Sequence, residues 1–261
     1  RHALSRTRVT PIDRPRILRL RKTPPVLVQP RRRRENAHPT HTMAYRGILS
    51  SRCGLASYRQ PLAQTTSGSF EGENLKLLVA SDLHGSATYV KKLFERIEEE
   101  KPDRVVLLGD LLYHGPRNDL PDGYSPREVA ATLNAAAELI TAVRGNCDAE
   151  VDQMVLDFPC MADYALMVVE GTPLLFTHGH VLNPASLKEG RIGDVPVAKG
   201  TFLFSGHTHV KGIDERDGIV FVNPGSVSMP KDECRSFCVV DEETVTLNEL
   251  ESGRVICAHS R

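Results

Sequence analysis

The chain has 261 residues, 40% apolar and only 5% aromatic, which suits one domain with an aliphatic core or two small ones. No apolar run nears the roughly 20 residues that a membrane-spanning helix needs, so no membrane partner is expected. The net charge of +0 is two unlike segments cancelling: residues 1–73 carry fifteen Lys/Arg against four Asp/Glu, and residues 74–261 carry 18 against 29.

Residues 1–73 hold seven of the 17 prolines and the run Arg31 to Arg34, with no helical or alternating period. Such a segment cannot offset its ordering entropy, so a basic, Pro/Arg-rich disordered tail is expected there. Arg1 is not expected to be a native start, and Met43 is an internal candidate. From Met43 to Phe70 there are three arginines, several Ser/Thr and no acidic residue. That composition resembles an organellar transit peptide. Translated upstream sequence or an idle tail fits it too, and the idle tail is favoured.

From residue 74 onward one domain is expected. Leu75 to Ala80 reads as a strand. Val90, Leu93, Phe94 and Ile97 recur at helical spacing among charged neighbours, and Pro102-Asp103 ends that helix. Arg104 to Leu108 is the next strand, Val129 to Leu139 a helix, and Ile140 to Val143 a strand. This alternation implies an α/β fold with a parallel or mixed sheet. Strands then follow with little helix: Tyr164 to Val169, a turn at Glu170-Gly171-Thr172-Pro173, Leu174 to Phe176, Thr201 to Phe204, Ile219 to Val222, Phe237 to Val240 and Thr244 to Leu247. They point to a second sheet packed on the first. The six cysteines form no Cys-x-x-Cys pair, so reduced thiols in the cytoplasm are expected, or in an organelle if residues 43–70 are a transit peptide.

Five apolar runs end in chemistry. They lead to Asp82-Leu83-His84, to Gly109-Asp110, to Gly145-Asn146-Cys147-Asp148, to His178-Gly179-His180 and to Gly206-His207-Thr208-His209. In layered α/β folds functional groups gather beyond the carboxyl ends of strands. Seven metal-capable side chains would converge: Asp82, His84, Asp110, Asn146, His178, His207 and His209. Strand alternation would turn the outer residues of Asp-x-His and His-x-His to one side. Seven ligands exceed one tetrahedral ion and suit two, with a carboxylate between them. Imidazole, carboxylate and amide together favour Mn²⁺, with Fe²⁺, Zn²⁺ or Ni²⁺ as alternatives. Two ions about 3.5–4 Å apart serve in-line displacement at phosphorus.

This ordered set resembles the calcineurin-like metallophosphoesterases, and within them is similar to the small YfcE-type bacterial phosphodiesterases. The likeness covers roughly 75–258 and includes Cys147 after Asn146, His114-Gly115-Pro116-Arg117-Asn118, Val151-Asp152-Gln153-Met154 and Asn223-Pro224-Gly225-Ser226. It implies a four-layer αββα sandwich of two mixed β-sheets flanked by helices. It implies that Asp82, His84 and His209 hold one metal, that Asn146, His178 and His207 hold the other, and that Asp110 bridges them. A hydroxide bridging both ions would attack a small phosphoester.

Most of that superfamily has His where this chain has Cys147. A neutral thiol donates a proton to an alkoxide poorly, so diesters with good leaving groups are expected over unactivated monoesters. His114 is the candidate substitute acid, and Arg117 and Asn118 would contact substrate oxygens. Asp148 and His180 would orient the ligands, and the turn at Asn223-Pro224-Gly225-Ser226 would support the site. Two other readings compete: a non-catalytic scaffold like the cargo-sorting retromer subunit, and a nucleic-acid phosphoesterase. The full ligand set argues against the first and the acidic domain against the second. A homo-oligomer stays open.

Overall fold

A computed structural model describes residues 75–232 and 234–261. The disordered tail and transit-like stretch expected within residues 1–73 lie outside the described residues. The first apolar run forms β1 (Leu77–Ala80). Ser86 then accepts the Tyr89 amide at 3.3 Å and starts α1 (Ala87–Glu100), which buries Tyr89, Val90, Leu93 and Ile97 along one stripe. Lys101, left-handed at φ 48°, ends it ahead of Pro102 and β2 (Arg104–Leu107). Pro126 opens α2 (Pro126–Asn134), where its missing N–H costs nothing. The helical spacing predicted α2 to run on to Leu139. It stops at Asn134, whose side chain is held by the Val155 carbonyl and the Asp157 amide, and a 3-10 turn leads into β3 (Ile140–Ala142).

A short helix, α3 (Glu150–Gln153), precedes β4 (Tyr164–Val169) and β5 (Thr172–Thr177). The reversal between them is tighter than expected, since Thr172 and Pro173 already pair within the ladder. A small hairpin, β6 (Arg191–Ile192) with β7 (Val195–Pro196), comes before β8 (Phe202–Ser205), β9 (Gly212–Arg216) and β10 (Ile219–Asn223). The chain closes with β11 (Ser236–Val240), β12 (Thr244–Glu249) and β13 (Val255–Ser260).

Two mixed sheets result. The first has the order β13-β12-β11-β1-β2-β3 and the second β4-β5-β8-β10-β9. β1, β2 and β3 are parallel, as are β5, β8 and β10. The late strands do not all build the second sheet. β11 pairs antiparallel with β1, carrying β12 and β13 back to the first. The two-residue pleat then sorts the core. Leu78 and Ala80 of β1 pack under α1 and α2, while Leu77 and Val79 meet Leu174, Phe176 and Phe204 of the second sheet. On that sheet's far side Leu175, Leu203 and Phe221 are covered by Leu182, Ile192 and Val197 from the hairpin segment, which supplies the fourth layer. Among the described residues no helix is long and apolar enough to cross a membrane.

Phe176 and Phe204 stack at 4.9 Å in the inter-sheet core, each at the root of a loop carrying candidate ligands. Phe176→Ala is expected to cost about 3–5 kcal/mol of unfolding free energy, read as a lower urea midpoint. An unchanged midpoint would mean that this stack does not anchor the two sheets.

Candidate metal centre

The chain reverses just past the ends of β1, β2 and β8, and there backbone geometry departs from expectation. Asp82 and His84 lie beyond β1, and His207 and His209 beyond β8, so no pleat orients them. They adopt left-handed conformations instead, with φ of 58°, 45°, 68° and 61°, as does Asp110 at 54°. The single intervening residue works through turn geometry rather than strand alternation. Close approach is needed as well. A Cβ on Gly206 would fall 1.9 Å from Ser81 Oγ, and one on Gly145 would fall 2.1 Å from Asp110 Oδ1. Only glycine fits at either position.

Hydrogen bonds at the rear of each ring aim its front. His84 Nδ1 donates to the Tyr113 carbonyl at 2.9 Å, His178 Nδ1 to the Leu108 carbonyl at 2.7 Å, and His209 Nδ1 to the Met229 carbonyl at 2.6 Å. A carbonyl can only accept, so each Nδ1 carries a proton and each ring turns its Nε2 inward, where the unprotonated nitrogen offers a lone pair. Three such lone pairs converge on buried carboxylates. His209 Nε2 is 3.1 Å from Asp82 Oδ1, and His84 Nε2 is 3.6 Å from Asp110 Oδ2. His178 Nε2 is also 3.6 Å from Asp110 Oδ2 and 3.0 Å from Asn146 Oδ1. His84 Nε2 and His209 Nε2 are 3.2 Å apart, and the buried Asp82 Oδ1 accepts no hydrogen bond.

This donor set fits divalent cations. Ligand atoms about 2.1 Å from one ion and at right angles are about 3 Å apart, close to the spacings here. Acceptors facing acceptors, with an orphaned buried carboxylate oxygen among them, call for positive charge. Asp82, His84 and His209 form one such group, and Asp82, Asp110 and His178 another. His207 stands farther out and exposed, its ring 5.1 Å from that of His178.

The surroundings hold this arrangement. Asp148 accepts the amides of Asp110, Leu111 and Gly145 at 2.7–2.8 Å, which fixes the loop that presents Asp110. Ser226 and Ser228 donate to the Asp82 carbonyl at 2.9 and 3.0 Å, and Asn223 donates to the Gly206 carbonyl at 3.0 Å. The turn at Asn223-Pro224-Gly225-Ser226 thus braces two ligand loops. The His180 ring lies 5.2 Å from that of His178.

Above the cluster lies a cleft of about 370 Å³, rimmed by Arg117, Asn118, Cys147, Thr208 and Lys231. Arg117 therefore faces the cleft. His114 is not brought there: its ring packs edge-on between Tyr113 and Tyr124, at 4.7 and 5.1 Å, and the chain reverses at Gly115 to send Pro116, Arg117 and Asn118 to the rim instead. Lys231 escaped sequence reasoning because one lysine after Met229-Pro230 carries no periodic or spacing signal. Its amide donates to the His209 carbonyl at 3.0 Å, which seats it beside the cluster.

The charges shift accordingly. Burial alone would raise the Asp82 carboxyl, but the His209 and His84 rings hold it well below the usual carboxylate range. Burial opposes a charged His84, and the Asp82 carboxylate outweighs it, raising that ring. Burial and the His178 ring lower His180 and His207. Burial and the Asp110 carboxylate push the Cys147 thiol far up, so it stays neutral at ordinary pH. Burial also raises Asp148, against the pull of its amide donors.

Residues 75–245 match the family model described as the calcineurin-like phosphoesterase superfamily domain. Phosphodiesterase YfcE of Escherichia coli strain K12 is 40% identical over 183 residues, covering 70% of this chain and 96% of that protein. A solved structure of YfcE, described as a phosphoesterase from E. coli, matches with a TM-score of 0.67 at 38% identity over 71% of this chain and 99% of that one. The vacuolar protein sorting 29 structure from Cryptosporidium parvum matches with a TM-score of 0.50 at 20% identity over 72% and 99% of the two chains, a likeness of fold alone.

Ligation needs a neutral ring, so below the raised pKa of His84 a cation must displace that proton. Affinity for Mn²⁺ is expected to fall as pH drops from about 8 to about 6, by about tenfold per unit for each displaced proton. Calorimetric titration measures it. Affinity independent of pH across that range would mean that the ion displaces no proton from His84.

Proposed function

The chain belongs to the calcineurin-like phosphoesterase superfamily, and on that premise we propose that it is a dinuclear metal-dependent phosphodiesterase acting on a small phosphodiester. The observation that carries the dinuclear reading is the position of Asp110. Its Oδ2 is 3.6 Å from both His84 Nε2 and His178 Nε2, so one carboxylate serves two groups of imidazoles. Asp82, His84 and His209 would hold one cation, Asn146, His178 and His207 the other, and Asp110 would be shared. Mn²⁺ suits this mixed imidazole, carboxylate and amide set, with Fe²⁺, Zn²⁺ and Ni²⁺ as alternatives. Two such cations supply, when bound, an activated water and neutralisation of phosphoryl charge.

The chain's own residues do the rest. Asp148 keeps the Asp110 loop in place through three amide hydrogen bonds. Arg117, Asn118 and Lys231 at the rim bind the non-bridging phosphoryl oxygens, Arg117 through its planar fork. Cys147 retains its proton because burial and Asp110 disfavour the thiolate. It therefore gives little help to a departing alkoxide, and the substrate must supply a good leaving group. His114 packs against two tyrosines and does not line the cleft.

Metal-dependent hydrolysis of bis-p-nitrophenyl phosphate is the test. Asp110→Asn is expected to lower it by at least about 100-fold. Activity that needs no metal, or that survives this change, would leave a non-catalytic scaffold of the same fold as the better reading. Cys147→His restores an imidazole at the leaving-group side and is expected to raise turnover of an alkyl phosphate ester by about tenfold or more. Unchanged or lowered turnover would show that the thiol does not limit the reaction.

A further inference from the structure

Beside the metal cleft lies a second pocket, of about 490 Å³ and mostly apolar surface. Its size falls within the range of about 300–1,000 Å³ usual for small-ligand sites. Leu112, Tyr113 and Tyr124 form one wall, Ala130 of α2 another, and Val151 and Val155 a third. Val151 is 59% exposed and Val155 48%, an outlay of apolar surface that the fold does not require. Asp152 reaches the lining, but its carboxylate is engaged by the Ala149 amide at 2.8 Å. Arg127 is the one other charged group there.

Cys147 lines both cavities. Its amide donates to Asp110 Oδ1 at 2.7 Å, and its side chain adds a small apolar surface to the lining. Tyr113 also joins them, holding His84 through its carbonyl while its side chain faces the apolar pocket. A group attached to phosphorus on the Cys147 side would pass directly from the cations into this pocket.

We propose that the pocket is the leaving-group subsite and takes an uncharged aromatic alcohol. The inference rests on the phosphodiesterase reading and names its substrate class: a diester with one aromatic ester group. Water's oxygen bonds to phosphorus, the bond from phosphorus to the aromatic oxygen breaks, and that oxygen departs with the bonding pair. The products are a phosphate monoester and the free aromatic alcohol, with water's two protons divided between that alcohol and the solvent. An aromatic oxygen leaves without help from a strong acid. The ring would meanwhile bury its faces against Tyr124, Val151 and Val155.

Phenylphosphonate and methylphosphonate, which cannot be hydrolysed, separate the pocket from the cleft. In calorimetric titrations of the full chain loaded with Mn²⁺, phenylphosphonate is expected to bind at least about tenfold tighter, with a more negative heat-capacity change. Val151→Asp and Val155→Asp, both at half-exposed positions, are expected to bring the ratio toward one while leaving methylphosphonate affinity unchanged. Equal affinities in a protein that hydrolyses bis-p-nitrophenyl phosphate would overturn the subsite and leave the phosphodiesterase reading standing. So would a ratio that neither variant alters, or a dimer in solution that Val155→Asp dissociates. Binding of neither phosphonate, with no diester hydrolysed, would overturn both.

Discussion

Unprotonated rings would turn two lone pairs toward each other at 3.2 Å, the distance at which carbonyls behind each ring hold His84 Nε2 and His209 Nε2. Buried carboxylates at Asp82 and Asp110 add negative charge to the same small volume. A cation resolves the conflict, since every inward-facing atom is then a donor of electrons to a common acceptor. Burial opposes a charge on the His84 ring, and the Asp82 carboxylate beside it favours one. The Asp148 carboxylate, the Ser226 and Ser228 hydroxyls and the Asn223 amide all hold this electron-rich cluster against its tendency to spread.

The cluster is also strained. Asp82, His84, Asp110, His207 and His209 are all left-handed, at a cost of order 1–3 kcal/mol for each such residue. Asp and His bear this better than branched side chains would. The strain persists because both ends of each turn are anchored. β1 and β2 lie inside a core packed from two sides, and Phe176 and Phe204 stack at the roots of the second sheet's loops. Turns that place the Cβ atoms of Asp82 and His84 toward one point could not be held by a loop free at either end.

Cys147 marks the boundary between two kinds of surface. On one side are the candidate ligands with Arg117 and Lys231, and on the other the tyrosine and valine lining between α2 and α3. A larger, charged ring at this position would close that boundary and would deliver protons. A thiol does neither. The polar half carries the donor set that fits cations, and the apolar half carries the proposed subsite.

The sequence by itself determined the alternating apolar runs, the strand-end Asp, Asn and His residues, and the glycines that permit close approach at Gly145 and Gly206. These are local signals, carried by the two-residue pleat, the helical repeat and the absence of a Cβ. Only the tertiary structure decided which sheet each late strand joins, because β11 is assigned by its pairing with Leu77 to Val79, some 160 residues earlier in the chain. The same holds for β9, whose Gly-Ile-Asp-Glu-Arg has no apolar period and becomes a strand by pairing with β10, and for the largely exposed β13 on β12. Turning His114 toward Tyr124, seating Lys231 beside His209 and opening the pocket between α2 and α3 likewise depend on neighbours remote in sequence. No local pattern encodes such contacts, since their energy exists only once the sheets and helices have packed.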